Sequence, residues 1–259
     1  MTAHSTFVIA EAGSCHDGHL DKALELVHIA KSVGANAVKF QWVSSVDRIV
    51  ERRRAPEYKD AYQLIAFPFE WHLILSQACE REGIEYMCTT YLPEDIPLVE
   101  PFVKRFKIAS FEARDEEFIE AHLEYNKRLI ISTGMGLAVP SYIDRYVRTD
   151  YLHCVSAYPC PVTELNLSVM RDGYYDGLSD HTVHPLTGAL AVAAGARIIE
   201  FHLRLRNTSY KNADFEVARD PDMAYRYLTN IRLAEKVMGE GEKRVMDVEK
   251  PMLRYRVKA

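Results

Sequence analysis

The stretch from Gly177 to Leu203 constrains this chain most tightly. Gly177-Leu-Ser-Asp-His-Thr182 and Arg197-Ile-Ile-Glu-Phe-His-Leu203 are strand candidates. His184 to Ala196 between them is a small-residue helix candidate, with Pro185 suited to its first turn. A helix this short joining two strands makes them parallel neighbours. His181 and His202 then stand at the C-terminal ends of adjacent strands, on one side of a sheet, with Asp180 and Glu200 beside them in sequence. Two imidazoles so placed are a candidate site for a divalent metal. Each histidine alone is equally a strand-end residue bonded to backbone; the matched pair carries the metal reading.

The remainder of the chain extends this unit. Short apolar strands are expected at Phe7 to Gly13, Ala37 to Gln41, Glu85 to Tyr91, Arg105 to Ser110, Arg128 to Gly134 and Tyr151 to Tyr158. Helical spacing runs over Leu20 to Val33, Glu70 to Glu82, from Pro93, Asp115 to Tyr125, Pro140 to Val147 and Asp220 to Met238. The charged piece from Val46 to Tyr62, with Glu51-Arg-Arg-Arg54, is expected as a solvated loop or lid over one mouth, the alternative being an arginine cluster for phosphate. Eight apolar strands alternating with helical segments predict a single (β/α)8 TIM barrel over 1–259, with a short tail from about 240. An open doubly wound sheet competes, but no Gly-rich dinucleotide turn follows the first strand.

A hydrophobic content of 48% supports a substantial core for 259 residues, and a net charge of −5 offers no general attraction to nucleic acid or anionic membrane. Five cysteines, an odd number without a C-x-x-C pair, suggest reduced thiols. The N-terminus lacks the pattern of a signal peptide, and no apolar run reaches membrane-spanning length. The expectation is a cytoplasmic protein with no nucleic-acid or membrane partner.

Barrel enzymes work at the C-terminal ends of their strands. Taken strand by strand, that rim offers Glu11; Lys39 and Gln41; Thr89 and Thr90; Lys107, Ser110 and Glu112; Ser132 and Thr133; Ser156 and Tyr158; Ser179 and His181; and His202. Two lysines and several hydroxyls converging on one mouth suit a small, highly charged anion such as a phosphate ester.

Several of these segments resemble the sialic acid synthase family. They are Ala10-Glu-Ala-Gly-Ser-Cys-His-Asp-Gly18, Ala37-Val-Lys-Phe-Gln41, Lys107-Ile-Ala-Ser-Phe-Glu112, Ile131-Ser-Thr-Gly-Met135, Leu152-His-Cys-Val-Ser-Ala-Tyr-Pro159, Gly177 to Thr182 and Glu200-Phe-His202. The resemblance implies condensation of phosphoenolpyruvate with an aldose, release of phosphate, and a divalent metal, Mn2+ for preference. It implies His181 and His202 as metal ligands and Lys39, Thr90, Lys107, Ser110, Ser132, Ser156 and Ser179 at phosphoenolpyruvate. Gln41, Glu112, Tyr158 and Asp214 would face the sugar, and Glu11 would work beside the metal, positioning or deprotonating water.

The chain departs from the family pattern in four places. Cys15 precedes His16 where the family usually has Asn, adding a soft group that could shift metal preference. Asn212-Ala-Asp-Phe215 stands where Gly-Pro-Asp-His is usual, and Ala218 where a serine is usual. Typical bacterial members also carry an antifreeze-like C-terminal domain supplying an arginine to the partner's site. The expectation is therefore a barrel served by a homodimer mate or separate protein, with N-acetylmannosamine a poor acceptor. A metal-dependent pyruvate aldolase and a non-catalytic sugar-phosphate binding or assembly subunit are the competing functions.

Overall fold

The computed structural model describes residues 5–139 and 148–257. Eight parallel strands close into a barrel in sequence order. They are β1 (Phe7–Gly13), β2 (Ala37–Gln41), β3 (Glu85–Thr89), β4 (Arg105–Ile108), β5 (Arg128–Thr133), β6 (Thr149–Cys154), β7 (Gly177–Asp180) and β8 (Ile198–His202). Closure pairs Phe7 with Ile198 and Glu11 with His202. The helices are α1 (Leu20–Ser32), α2 (Val46–Arg53), α3 (Lys59–Ile65), α4 (Trp71–Glu82), α5 (Ile96–Val99), α6 (Glu116–Leu123), α7 (Thr187–Ala193) and α8 (Pro221–Met238). The helix expected over Pro140 to Val147 lies outside the described residues.

Strand alternation sorts the interior into layers. At the N-terminal end Arg105 pairs with Glu85 at 2.7 Å and Arg128 with Asp150 at 2.5 Å. Above them Ile9, Ala37, Met87, Ile130, Leu152 and Ile198 form a closed apolar plug, with Phe7 packed against it. Inward positions one step further along carry the polar groups of the mouth, so the plug is its dry floor. Residues of opposite parity, such as Val8, Val38, Phe106, Ile131 and Phe201, join the helices in the outer core. Gly177 lets β7 approach β8: a Cβ there would lie 1.8 Å from the Ile198 carbonyl oxygen.

The outer layer also claims Asp180. It accepts hydrogen bonds from Thr187 Oγ1 at 2.5 Å, Tyr227 Oη at 2.6 Å and Arg219 at 3.0 Å, tying β7 to α7 and α8. It points away from the histidines, so sequence adjacency to His181 misleads at this residue. Pro185 precedes α7 rather than opening it, because the helix starts at Thr187, whose hydroxyl bonds the His184 carbonyl. The segment expected as a lid is instead two short helices: Ile49 of α2 and Tyr62 and Ile65 of α3 bury with Val43, Tyr91 and Leu92 in a small core of their own. Beyond α8, residues 239–257 are exposed and include a 3-10 helix, Asp247–Tyr255.

Candidate active site

Four buried charged groups form the base of the mouth. Lys39 Nζ lies 2.6 Å from Glu11 Oε2 and 3.6 Å from Glu200 Oε2, and donates to Thr89 Oγ1 at 3.0 Å. Lys107 Nζ donates to Ser132 Oγ at 2.8 Å and to the Ile108 carbonyl at 3.0 Å, with Glu200 Oε1 at 3.5 Å. Ser179 donates to Glu200 Oε1 at 2.8 Å, and Gln41 donates to Glu11 Oε1 at 2.7 Å. Glu200 therefore sits between the two lysines.

The two carboxyls are driven apart. Burial, together with Glu200 nearby, pushes Glu11 up to about 7 even against the pull of Lys39. Burial also opposes ionisation of Glu200, but Lys107 and Lys39 outweigh it and hold that carboxyl down to about 2. Burial lowers Lys107, whereas for Lys39 the two carboxylates overcome burial and raise it. A site with one carboxyl poised near neutrality and two buried ammonium groups is equipped to bind an anion and move a proton.

The histidines meet as their strand positions require. Their rings lie 5.3 Å apart, with Tyr158 4.2 Å from the His181 ring. His181 Nδ1 lies 2.7 Å from the Val155 carbonyl, a contact that makes it the donor and turns the Nε2 lone pair outward. His202 Nδ1 is buried without a hydrogen-bond partner; Asp214 Oδ1 is 3.6 Å away, too far for one. Two neighbouring imidazoles, one of them with an orphaned buried nitrogen, fit a divalent ion. Among the described residues no group of three or more His, Cys, Asp or Glu side chains forms a closed cage for one.

Asp214 is positioned from below. Its Oδ2 accepts from the Ser14 hydroxyl at 3.2 Å, and Asn212 binds both Ser14 Oγ at 2.9 Å and the Asp214 amide at 3.0 Å. Gly13, at φ +49°, leaves that carboxylate its room: a Cβ would lie 2.5 Å from Asp214 Oδ2. Ser110 and Ser156 share a hydrogen bond at 2.8 Å across the mouth. Glu112 accepts from Arg53 Nε at 2.8 Å and Nη2 at 2.6 Å. The resulting cavity is about 720 Å3 and is lined by Glu11, Lys39, Gln41, Lys107, Ser110, Glu112, Ser132, Tyr158, Ser179, His181, His202 and Asp214, among others.

Three side chains stand elsewhere than the sequence suggested. Thr90 faces α6, its hydroxyl 3.4 Å from His122 Nε2, and Thr89 is the residue that meets Lys39. Strand parity decides this, since Gln41, Thr89 and Lys107 share one inward level. Cys15 is buried in the hydrophobic core, where burial pushes its thiol up, and it does not line the mouth that His181 and His202 line. Phe215 lies under Arg204, 4.4 Å from its guanidinium carbon, rather than in the mouth. Sequence reasoning named Glu200 only as a carboxylate beside the histidines; its position two residues before His202 places both on one strand face, where it meets the lysines. Arg53 was legible only as part of a charged run.

The sequence model of the NeuB family matches residues 26–243. The N,N'-diacetyllegionaminic acid synthase of Legionella pneumophila is 35% identical, over 95% of this chain and 77% of its own. The pseudaminic acid synthase of Campylobacter jejuni is 31% identical, over 99% and 80%. The crystal structure of N-acetylneuraminic acid (sialic acid) synthetase from Leptospira borgpetersenii in complex with citrate superposes with a TM-score of 0.88 at 26% identity, covering 98% of this chain and 92% of that one.

Proposed function

The chain belongs to the NeuB family of sugar acid synthases, and from that premise we propose that it condenses phosphoenolpyruvate with an aldose to give a 2-keto sugar acid and phosphate. The observation that carries the reading is the pair of buried lysines under an open mouth, each within reach of hydroxyls from neighbouring strands. Lys39 and Lys107, with Ser110, Ser132, Ser156 and Ser179, would neutralise and orient the phosphate and carboxylate of phosphoenolpyruvate. Pyruvate lacks the phosphate that this many donors would hold, which sets the aldolase reading behind.

His181 and His202 would hold a divalent metal, with water and substrate oxygens completing its sphere; two nitrogen ligands and nearby carboxylates favour Mn2+ over a closed zinc site. Bound there, the ion would polarise the open-chain aldehyde of the acceptor. Gln41, Glu112, Tyr158 and Asp214 would fix the hydroxyls of the sugar so that C3 of the enol reaches the aldehyde carbon. Glu11 would place a water at C2 and take its proton, and the tetrahedral adduct would then expel phosphate.

The test is phosphate release from phosphoenolpyruvate by purified protein, with Mn2+ and a panel of aldoses. Release that requires an aldose, with a product longer by three carbons, is the expected result. Release without any aldose, or consumption of pyruvate in place of phosphoenolpyruvate, would refute it.

A further inference from the structure

The barrel closes where β1 meets β8, and the backbone ladder of that seam runs out at Glu11 and His202, with one last bond from Leu203 N to the Glu11 carbonyl. Beyond it the chain leaves both strands in turns, and side chains take over the pairing. Thr208 Oγ1 donates to the Cys15 carbonyl at 3.0 Å, Lys22 Nζ to the Asn207 carbonyl at 3.1 Å, and Ser209 N to Asp17 Oδ2 at 2.8 Å. Asp17 also pairs with Lys22 at 2.7 Å.

Asn212 is the centre of this clamp. It is only 6% exposed and uses its whole amide. Its Nδ2 donates to the Ser14 carbonyl at 2.8 Å and to Asp17 Oδ1 at 2.9 Å, while its Oδ1 accepts from Asp214 N at 3.0 Å and from Ser14 Oγ at 2.9 Å. Two of these partners are backbone groups of fixed sense, a carbonyl and an N–H, so the amide has one workable orientation. Exchanging its oxygen and nitrogen would set acceptor against acceptor and donor against donor. Asn212 does not line the cavity, but Asp214, two residues on, does. Ser14 grips that carboxylate by one oxygen, with its N and Oγ 3.3 and 3.2 Å from Oδ2. Oδ1 is thereby left on the His202 side, 3.6 Å from Nδ1. The lysines that would take phosphoenolpyruvate hang on Thr89 and Ser132, outside the clamp.

We propose that Asn212 is a positioning residue: by fastening the turn after β8 to the turn after β1 it aims Asp214 before the acceptor arrives, and so sets the KM of the acceptor without touching it. The inference rests on the synthase reading and adds to it the residue through which Asp214 is held. Ordering a carboxylate in advance removes the cost of fixing it from the binding step. That gain is felt by the aldose and not by phosphoenolpyruvate.

The experiment measures KM for an accepted aldose and for phosphoenolpyruvate separately, in the native protein, Asn212→Ala, Asp214→Asn and the double variant. Asn212→Ala should raise the aldose KM about tenfold and leave that of phosphoenolpyruvate within about twofold. Asp214→Asn should raise the aldose KM by itself, and adding Asn212→Ala to it should change that KM by less than about twofold, because Asn212 acts through Asp214. Asn212→Asp keeps an oxygen for Asp214 N but turns a second one on the Ser14 carbonyl and Asp17. It should show the same selective rise, and it carries the comparison where Asn212→Ala does not fold. Fully multiplicative losses in the double variant, equal rises in both KM values, or failure of both Asn212 variants to fold would overturn the proposal and leave the synthase reading standing. No aldose-dependent phosphate release by the native protein would overturn the synthase reading and this inference together.

Discussion

Glu11 is the residue whose environment says most about its work. Its carboxyl is pushed up to about 7, so its proton is lost only as the solution becomes neutral. If the ionised form accepts a proton from water, kcat/KM should rise with pH along a limb centred near 7, and Glu11→Gln should remove that limb and cost about 10²–10⁴-fold in rate. A pH–rate profile of phosphate release decides this; an unchanged limb in the variant would move the base elsewhere. Lys39→Met and Lys107→Met keep the aliphatic stem but lose charge-assisted bonds, so calorimetry should find phosphoenolpyruvate binding weaker by about 1.5–3 kcal/mol per bond. The His181→Ala, His202→Ala double variant should lose bound metal by elemental analysis, and full occupancy would refute the assignment. Most of these side chains were legible in the sequence because a strand end is easy to find. Which of Thr89 and Thr90 points inward was not, since that needs the pairing register, one residue of which exchanges the two faces.

At the scale of elements, the mouth depends on where the chain gives up its side chain. A Cβ on Gly134, just after β5, would lie 2.0 Å from Ser156 Oγ and 3.0 Å from Ser110 Cβ. Gly134→Ala should therefore break the hydrogen bond between those serines and raise KM for phosphoenolpyruvate, with a stability cost of about 0.5–1.5 kcal/mol. Ser156→Ala removes the obstructing oxygen, so adding it to Gly134→Ala should cost less than the sum of the two single changes. Strictly additive losses in melting temperature and KM would show that the two positions do not meet. The strands were legible because a sheet covered on both faces gives continuous apolar runs. The α2–α3 segment was not: α2 carries Glu51-Arg-Arg53, and only Ile49 is fully buried on it. Val46, Ile49 and Val50 recur at helical spacing and pack into the small core, but in a helix of 8 residues the charged run outweighs so short a stripe.

For the whole molecule, the balance of buried titratable groups predicts how stability responds to acid. Burial holds His16, His72 and His122 each down to about 4, and all three are buried and none lines the mouth. Unfolded, each returns to an ordinary histidine near 6.5, so between about pH 6.5 and 4 the unfolded chain binds the extra protons. The stability tied to these three is complete above pH 6.5 and lost as pH falls to 4, on the order of 3 kcal/mol each. Glu11 runs the other way. Its folded value lies above its unfolded one, so its contribution is complete below about pH 4.5 and lost as pH rises to about 7. Where the windows overlap, these four groups take up roughly three protons at the histidines on unfolding and release roughly one at Glu11, a net of about two; His153 and His202, lowered by burial, add to the uptake, and Glu112 and Asp95, raised by it, oppose it. Urea unfolding of metal-free protein at pH 5, 6 and 7 should therefore show stability falling on acidification. In Glu11→Gln the opposing group is gone, and the fall over the same range should be steeper by about one proton. A shallower slope in Glu11→Gln would mean that Glu11 is ionised in the folded protein at these pH values, held so by Lys39 at 2.6 Å, and the neutral-pH limb expected in its rate profile would have to come from another group.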